Sequence, residues 1–367
     1  MRERYDTLQA LRGAACLLVV AFHLGGEEAR LGLGFNPLKP VRWFGYAGVD
    51  LFFVLSGFII AATTRADLGQ PGRFPSYLFR RAWRVYPIYW VALAAAVAVH
   101  AVLSPDPVLG PAPAREATDT LLLLPTPGQP RFLAVSWTLT YELMFYLAVG
   151  GLFLLPARAA VPAVGAWAGL VAVWSVAVGA APADPYLALP VSPFVLEFLA
   201  GFLLARFPVR LAGRGAVALG LAAAGWCVAA LAVAPDPDPD LWVNDPARRV
   251  AVFGPAAALA VLAATGWERG GGRCGLRWLR RVGDASYSVY LLHVTGLVVG
   301  LYLSIRAGMT HGKAGHVLWL GLMFAAAVGP GVLLHRYVEA PLLRLGRRRP
   351  AAPPPTAVPT PPARRAA

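Results

Sequence analysis

The chain has 367 residues, of which 57% are hydrophobic and only 14% charged, and its mean hydropathy of +0.58 is too high for an ordinary soluble domain of this length. Its 33 Lys and Arg outnumber 19 Asp and Glu, for a formal charge of +14, and all but Lys39 and Lys313 of the basic residues are arginine. No basic soluble domain accompanies that excess, which argues against a nucleic-acid partner and matches the Lys/Arg bias of cytoplasmic loops in a polytopic membrane protein. Cys16, Cys227 and Cys274 have no CxxC or metal-type spacing, so neither a disulfide framework nor a metal site is expected.

A helix needs about 20 residues to cross a bilayer. By that length the apolar segments fall near 8–26, 43–63, 83–103, 132–155, 161–181, 187–205, 214–234, 247–267, 283–304 and 315–337. The expected fold is an all-α polytopic integral membrane protein of about ten transmembrane helices. The basic start MRER followed by an apolar run is similar to a signal peptide, but no A-x-A cleavage site follows and the run carries Arg12; it is read as a retained first helix. Alternate loops hold most of the arginines, while the opposite loops include the acidic APDPDPDLWVND from Ala234 to Asp245. Both termini are therefore expected in the cytoplasm. Residues 1–345 form the transmembrane domain, and the Pro/Arg-rich stretch 346–367 is expected to be a disordered cytoplasmic tail. Neither an internal repeat nor a soluble catalytic domain is visible, so any chemistry must use the bundle and its loops.

Ionisable groups at membrane depth are costly, so each one needs a functional or a structural explanation. In the first span, LQALRGAACLLVVAFH, Arg12 and His23 are eleven residues apart, close to three helical turns. They share a face and are separated by about 16 Å along the axis. Both could instead be interfacial, with Arg12 reaching the headgroups. The second span, GVDLFFVLSGFII, holds Asp50 as a structural partner for an arginine, and Gly57 on its face allows a neighbouring helix to approach. In FRRAWRVYPIYW, Arg80, Arg81 and Arg84 cluster at the cytoplasmic mouth of the third span, either as an anchor on lipid phosphates or as a receptor for a phosphorylated substrate.

Within SWTLTYELMFYL, Glu142 lies inside the fourth span beside Trp137, Tyr141 and Tyr146. A carboxylate there needs a cationic partner or an acid/base role. Glu197, in SPFVLEFLAGFLLAR, poses the same question. In GDASYSVYLLHVTG, Ser286, Tyr290 and His293 follow i, i+4, i+7 spacing and form one polar stripe. His293 could bind substrate, relay a proton or bond to another helix.

Taken together, these motifs resemble the acyltransferase-3 family of bacterial membrane acyltransferases, to about Pro341. The resemblance rests on LRGAACLLVVAFH with its R-x10-H spacing, GVDLFFVLSGFII, RRAWRVYP with its RxxR, SWTLTYELMFYL, GDASYSVYLLH and RYVEAP, in the family's order. LQALRG and WTLTYELMFYL are most similar to the branch that acetylates exopolysaccharides. The chain lacks the additional SGNH domain of some members. The resemblance implies that Arg12 and His23 are the family's essential pair and that Arg81 and Arg84 are its RxxR. Glu142 and the Ser286/Tyr287/His293 segment match recurrent motifs, and Asp50, Glu197 and Glu339 are expected as supporting polar groups.

The implied reaction moves an acyl group, acetyl in the first instance, from acyl-CoA to a hydroxyl of an exported polysaccharide or its lipid-linked precursor. The implied location is the bacterial cytoplasmic membrane, with lipid and the machinery of polysaccharide synthesis or export as further partners. No bound cofactor is expected; acyl-CoA is a co-substrate. Catalysis falls to His23 as general base with Arg12 and Glu142, and substrate binding to Arg80, Arg81, Arg84, Ser286, Tyr287, Tyr290 and His293. Alternatives are acylation of a small molecule such as a macrolide, or a glycan transporter or flippase without acyl transfer.

Overall fold

In the computed structural model the described residues are 5–30, 36–103, 114–126, 132–232, 245–308 and 312–345. The expectations for the acidic loop around residues 234–244 and for the tail 346–367 lie outside them. Among the described residues the structure is all helical. We label the main helices α1 (Asp6–Arg30), α2 (Ala47–Thr64), α3 (Phe74–Leu103), α4 (Trp137–Gly151), α5 (Ala160–Ala177), α6 (Pro185–Val191), α7 (Phe194–Arg206), α8 (Gly213–Ala232), α9 (Pro246–Arg269), α10 (Arg277–Arg306) and α11 (Gly312–Leu334).

Nine helical segments among the described residues are long and apolar enough to cross a membrane, and α6 with α7 form a tenth candidate bent by 42°. The bend lies at Ser192–Pro193, where proline cannot continue the hydrogen-bond ladder of α6. Helix direction bears on the count. Gly13 packs on Gly283, Cys16 on Ser286 and His23 on His293, so α1 and α10 advance in parallel. Parallel spans have an odd number of crossings between them, and α1 and α10 meet that condition when the bent α6–α7 pair acts as one crossing.

The third span extends further than its apolar run suggested. Continuous helix begins at Phe74, so Arg80 and Arg81 lie within α3 together with Arg84. Pro87 follows them inside the same helix, a position tolerated where neighbouring helices can re-satisfy the backbone. At its end α11 passes into a π-helical turn, His335–Glu339, followed by a short helix, Ala340–Leu345.

Distant residues close the start of α1. Glu268, near the end of α9, accepts hydrogen bonds from the backbone amides of Asp6 and Thr7 at 2.8 and 2.9 Å and from the Thr7 hydroxyl. A carboxylate there satisfies two of the four amides that a helix start leaves open and complements its positive end. Asp6 in turn bonds Arg280 of α10. The beginnings of α1 and α10 are thus tied to the end of α9.

The costliest polar residues of the interior are neutralised between α2 and α9. Asp50 is fully buried and Arg249 is 2% exposed. The guanidinium donates from Nε to both carboxylate oxygens at 3.0 Å, and from Nη2 to Oδ2 at 2.7 Å and to the Tyr46 carbonyl at 3.1 Å. It also stacks over the Tyr46 and Phe194 rings at 5.1 Å. Asp50 therefore does have an arginine partner, as its structural reading expected. Glu197 of α7 is buried beside the pair, so two carboxyl groups face one guanidinium. The helices reach this spacing because α2 and α7 cross at glycine: a Cβ on Gly57 would overlap the Phe198 carbonyl, and one on Gly201 the Val54 carbonyl.

Removing one member of a buried pair leaves the other charge uncompensated, at a cost of about 3–5 kcal/mol. Asp50→Ala is expected to lower the thermal midpoint of the detergent-purified protein sharply. Glu197→Gln, which removes a carboxyl and leaves the Asp50–Arg249 pair intact, is expected to cost far less. Equal losses in a thermal-unfolding assay would contradict this assignment of the pair.

Candidate functional site

The site is built on the contact between α1 and α10. At Gly13 and Gly283 the two backbones touch: a Cβ on Gly13 would overlap the Leu279 carbonyl, and one on Gly283 the Gln9 carbonyl. This brings the polar residues of both helices within hydrogen-bonding reach. Arg12 donates from Nη2 to the Ser286 hydroxyl at 3.0 Å. Farther along, Nδ1 of His23 lies 3.2 Å from Nε2 of His293, with the rings edge to face at 4.8 Å. Arg12 and His23 thus both project toward α10, as their eleven-residue spacing predicts. One face of α10 supplies both partners.

Helices α2, α3 and α4 close a cavity around the Arg12 end of this contact. Its polar lining is Arg12, Ser56, Arg81, Arg84, Thr138, Glu142, Tyr146, Ser286, Tyr287 and Tyr290, with apolar walls from Phe52, Phe53, Ile59 and Val85. Three guanidiniums and a single carboxylate share the lining, so the cavity is predominantly basic.

Several lining groups are held by neighbours. Glu142 Oε1 accepts from the Tyr146 hydroxyl and, at 3.4 Å, from Ser56. Arg81 donates to the Thr63 hydroxyl at 2.9 Å and lies over the Tyr77 and Tyr146 rings. Tyr287 donates to the Val85 carbonyl at 2.8 Å. Tyr290 donates to the Val135 carbonyl at 3.1 Å and accepts from Thr138 at 3.0 Å. Arg84 donates no hydrogen bond and forms no ion pair among the described residues while lining the cavity. Its donors remain available.

His23 and His293 are not among the lining residues; they lie directly behind the cavity wall. The Tyr290 ring touches Phe52 at 6.0 Å on one side and His293 at 5.7 Å on the other. Phe52, Tyr290, His293 and His23 therefore form a continuous series of rings leading out of the cavity.

Other expected groupings do not form. Arg80 turns away from Arg81 and Arg84, half exposed, and approaches Asp67 at 3.9 Å. Adjacent residues on a helix point about 100° apart, so Arg80 cannot follow Arg81 inward. Glu142 hydrogen-bonds Tyr146 and Ser56 and makes no ion pair within 4 Å among the described residues, although its charge acts on Arg12. Asp50 and Glu197 belong to the Arg249 cluster, away from the cavity. Glu339 accepts from Ser288 at 2.6 Å and pairs with His335 at 2.9 Å, packing the π turn onto α10 close enough for its charge to act on Arg12 and Arg84. Among the described residues no group of three or more His, Cys, Asp and Glu is arranged to hold a metal ion.

Sequence reasoning passed over three participants. Arg249 was hidden at the start of an apolar run, three residues after Pro246, where an arginine reads as interfacial. Ser56 and Thr138 were hidden because a single hydroxyl in an apolar helix carries no periodic signal.

With this geometry in view, comparison with known proteins is decisive about kinship. An acyltransferase-domain family model matches residues 5–336. The chain belongs to the acyltransferase-3 family. It is 31% identical over 324 residues to the exopolysaccharide production protein ExoZ of Rhizobium meliloti, covering 83% of this chain and 92% of that protein. It is 28% identical to the acyltransferase MdmB of Streptomyces mycarofaciens, covering 95% and 94%. No solved structure matches. The family match spans α1 through α11, so every cavity helix of this acyltransferase-3 protein lies within it.

If the α1–α10 contact sets the site, Gly283→Ala must force the two helices apart, whereas Gly26→Ala, with nothing within 4 Å of the added Cβ, should be harmless. Overpacking of this kind costs about 1–3 kcal/mol. We expect Gly283→Ala to lose thermal stability and activity together, with Gly26→Ala matching wild type in both. A fully active, fully stable Gly283→Ala protein would rule out the contact.

Proposed function

We propose that this protein transfers an acyl group, acetyl in the first instance, from acyl-CoA to a hydroxyl of an exported polysaccharide or its lipid-linked precursor. It would work in the bacterial cytoplasmic membrane with both termini cytoplasmic. The observation that carries the reading is the cavity lined by Arg12, Arg81 and Arg84, with a histidine pair behind its Tyr290 wall. CoA carries several phosphates, and guanidinium forks are the natural receptors for them. In this reading Arg84 and Arg81 hold the donor, and the thioester arm extends toward Phe52 and Tyr290. The kinship with an exopolysaccharide production protein supports a glycan acceptor.

The chemistry requires a base, because a sugar hydroxyl is a poor nucleophile at neutral pH. Neutral His23 takes the hydroxyl proton as the oxygen attacks the thioester carbonyl. The carbon–oxygen bond forms and the carbon–sulfur bond breaks. CoA leaves as thiolate and recovers the proton from the imidazolium, giving an O-acyl ester and free CoA thiol. Arg12, held by Ser286 about three helical turns along α1 from His23, is placed to orient the donor on its way to the base. Glu142, bonded to Tyr146 and Ser56, orients the wall that faces the donor.

The test uses purified protein with acetyl-CoA and a glycan acceptor, following release of free thiol and the acetyl content of the product by NMR. Loss of the general base is expected to lower kcat by about 100- to 10,000-fold in His23→Ala. Arg84→Ala is expected to raise the KM for acetyl-CoA about tenfold or more, the scale of one lost charge-assisted hydrogen bond. Arg80→Ala should leave that KM unchanged. Full activity in His23→Ala, or no thiol release by wild type, would refute the reading.

A further inference from the structure

We propose that His293 is the positioning residue for His23: its bare Nε2 accepts from His23 Nδ1–H, fixing the tautomer that leaves His23 Nε2 as the proton acceptor. The proposal rests on the reading of His23 as general base and adds the residue that orients it.

The hydrogen-bond partners determine the tautomers. A backbone carbonyl can only accept, so a ring nitrogen in contact with one must carry the proton. Nδ1 of His293 lies 2.6 Å from the Tyr290 carbonyl, which makes it the N–H and leaves Nε2 with a lone pair. Nδ1 of His23 lies 3.0 Å from the Val19 carbonyl and is likewise the N–H. The same His23 N–H faces the lone pair of His293 Nε2 at 3.2 Å, so carbonyl and imidazole share it. Nε2 of His23 then holds the remaining lone pair of the couple, and it has no hydrogen-bond partner among the described residues.

His293 is suited to the task by its setting. It is fully buried, one helical turn past Tyr290, whose hydroxyl is tied to Val135 and Thr138. The ring cannot rotate without losing its carbonyl contact. When His23 takes up a proton at Nε2, its Nδ1–H becomes a stronger donor, and the bond to His293 becomes charge-assisted. A neutral imidazole thus fills the place that a carboxylate takes behind the histidine of a hydrolase triad. The orienting partner here brings no second charge into the membrane interior.

Two measurements test this. In wild-type protein carrying 15N-labelled histidine, NMR should show His23 with Nδ1 protonated and Nε2 bare, identified by loss of its signals in His23→Ala. Protonation at Nε2 in the resting enzyme would overturn the proposal whether or not acyl transfer is observed. Among variants, His293→Leu removes the acceptor, whereas His293→Gln can offer an amide oxygen near the position of Nε2. We expect kcat to fall about 10- to 100-fold in His293→Leu, the scale seen when an orienting partner is removed from a functional histidine, with the KM for acetyl-CoA unchanged and most of the loss recovered in His293→Gln. Wild-type kcat in folded His293→Leu would refute positioning while leaving the base assignment intact. Activity retained in His23→Ala would instead refute the base.

Discussion

Gly13 and Gly283 let the backbones of α1 and α10 touch, and the rest of the site depends on that contact. An apolar bilayer gives helices little reason to associate through greasy side chains, so close backbone approach and interhelical hydrogen bonds must do it. Here the approach puts Arg12 on Ser286 and His23 on His293. Two helices distant in sequence become one polar seam. The parallel run also decides that the bent α6–α7 pair counts as a full crossing, linking the site's geometry to the topology of the whole bundle.

The protein separates two kinds of buried charge. Asp50 and Arg249 satisfy one another through several hydrogen bonds in a sealed cluster, an arrangement suited to fixing helices in place. The cavity does the reverse: Arg84 lines it without an ion pair, Arg81 is held by a hydroxyl and two aromatic rings, and Glu142 is bonded to neutral partners. Glu142 and Glu339 act on these guanidiniums from nearby without pairing with Arg84. The two settings therefore differ in partners, not in burial.

Much of this was legible in the chain itself. Helical periodicity places Arg12 and His23 on one face and aligns Ser286, Tyr290 and His293, because an α-helix converts spacing directly into direction. The match of Asp50 to an arginine follows from the cost of a lone buried carboxylate, though which arginine does not; Arg249 is 199 residues away, and only packing brings the two together. Arg80 shares i, i+4 spacing with Arg84, yet its side chain is half exposed and turns to Asp67. The partner of His23 was equally beyond reach, since residue spacing on one helix says nothing about which other helix lies against it. Kinship places the chain among acyltransferases, and only packing brings the residues of the seam and the cavity together.

The central claim is that the arginine-lined cavity receives the acyl donor and leads it to the histidine pair. An electron cryomicroscopy structure of the purified protein with CoA tests it most directly. The account predicts density for the CoA phosphates against Arg84 and Arg81, with the pantetheine arm running past Arg12 toward Phe52 and Tyr290. Ordered CoA bound elsewhere, with this cavity unchanged, would contradict it.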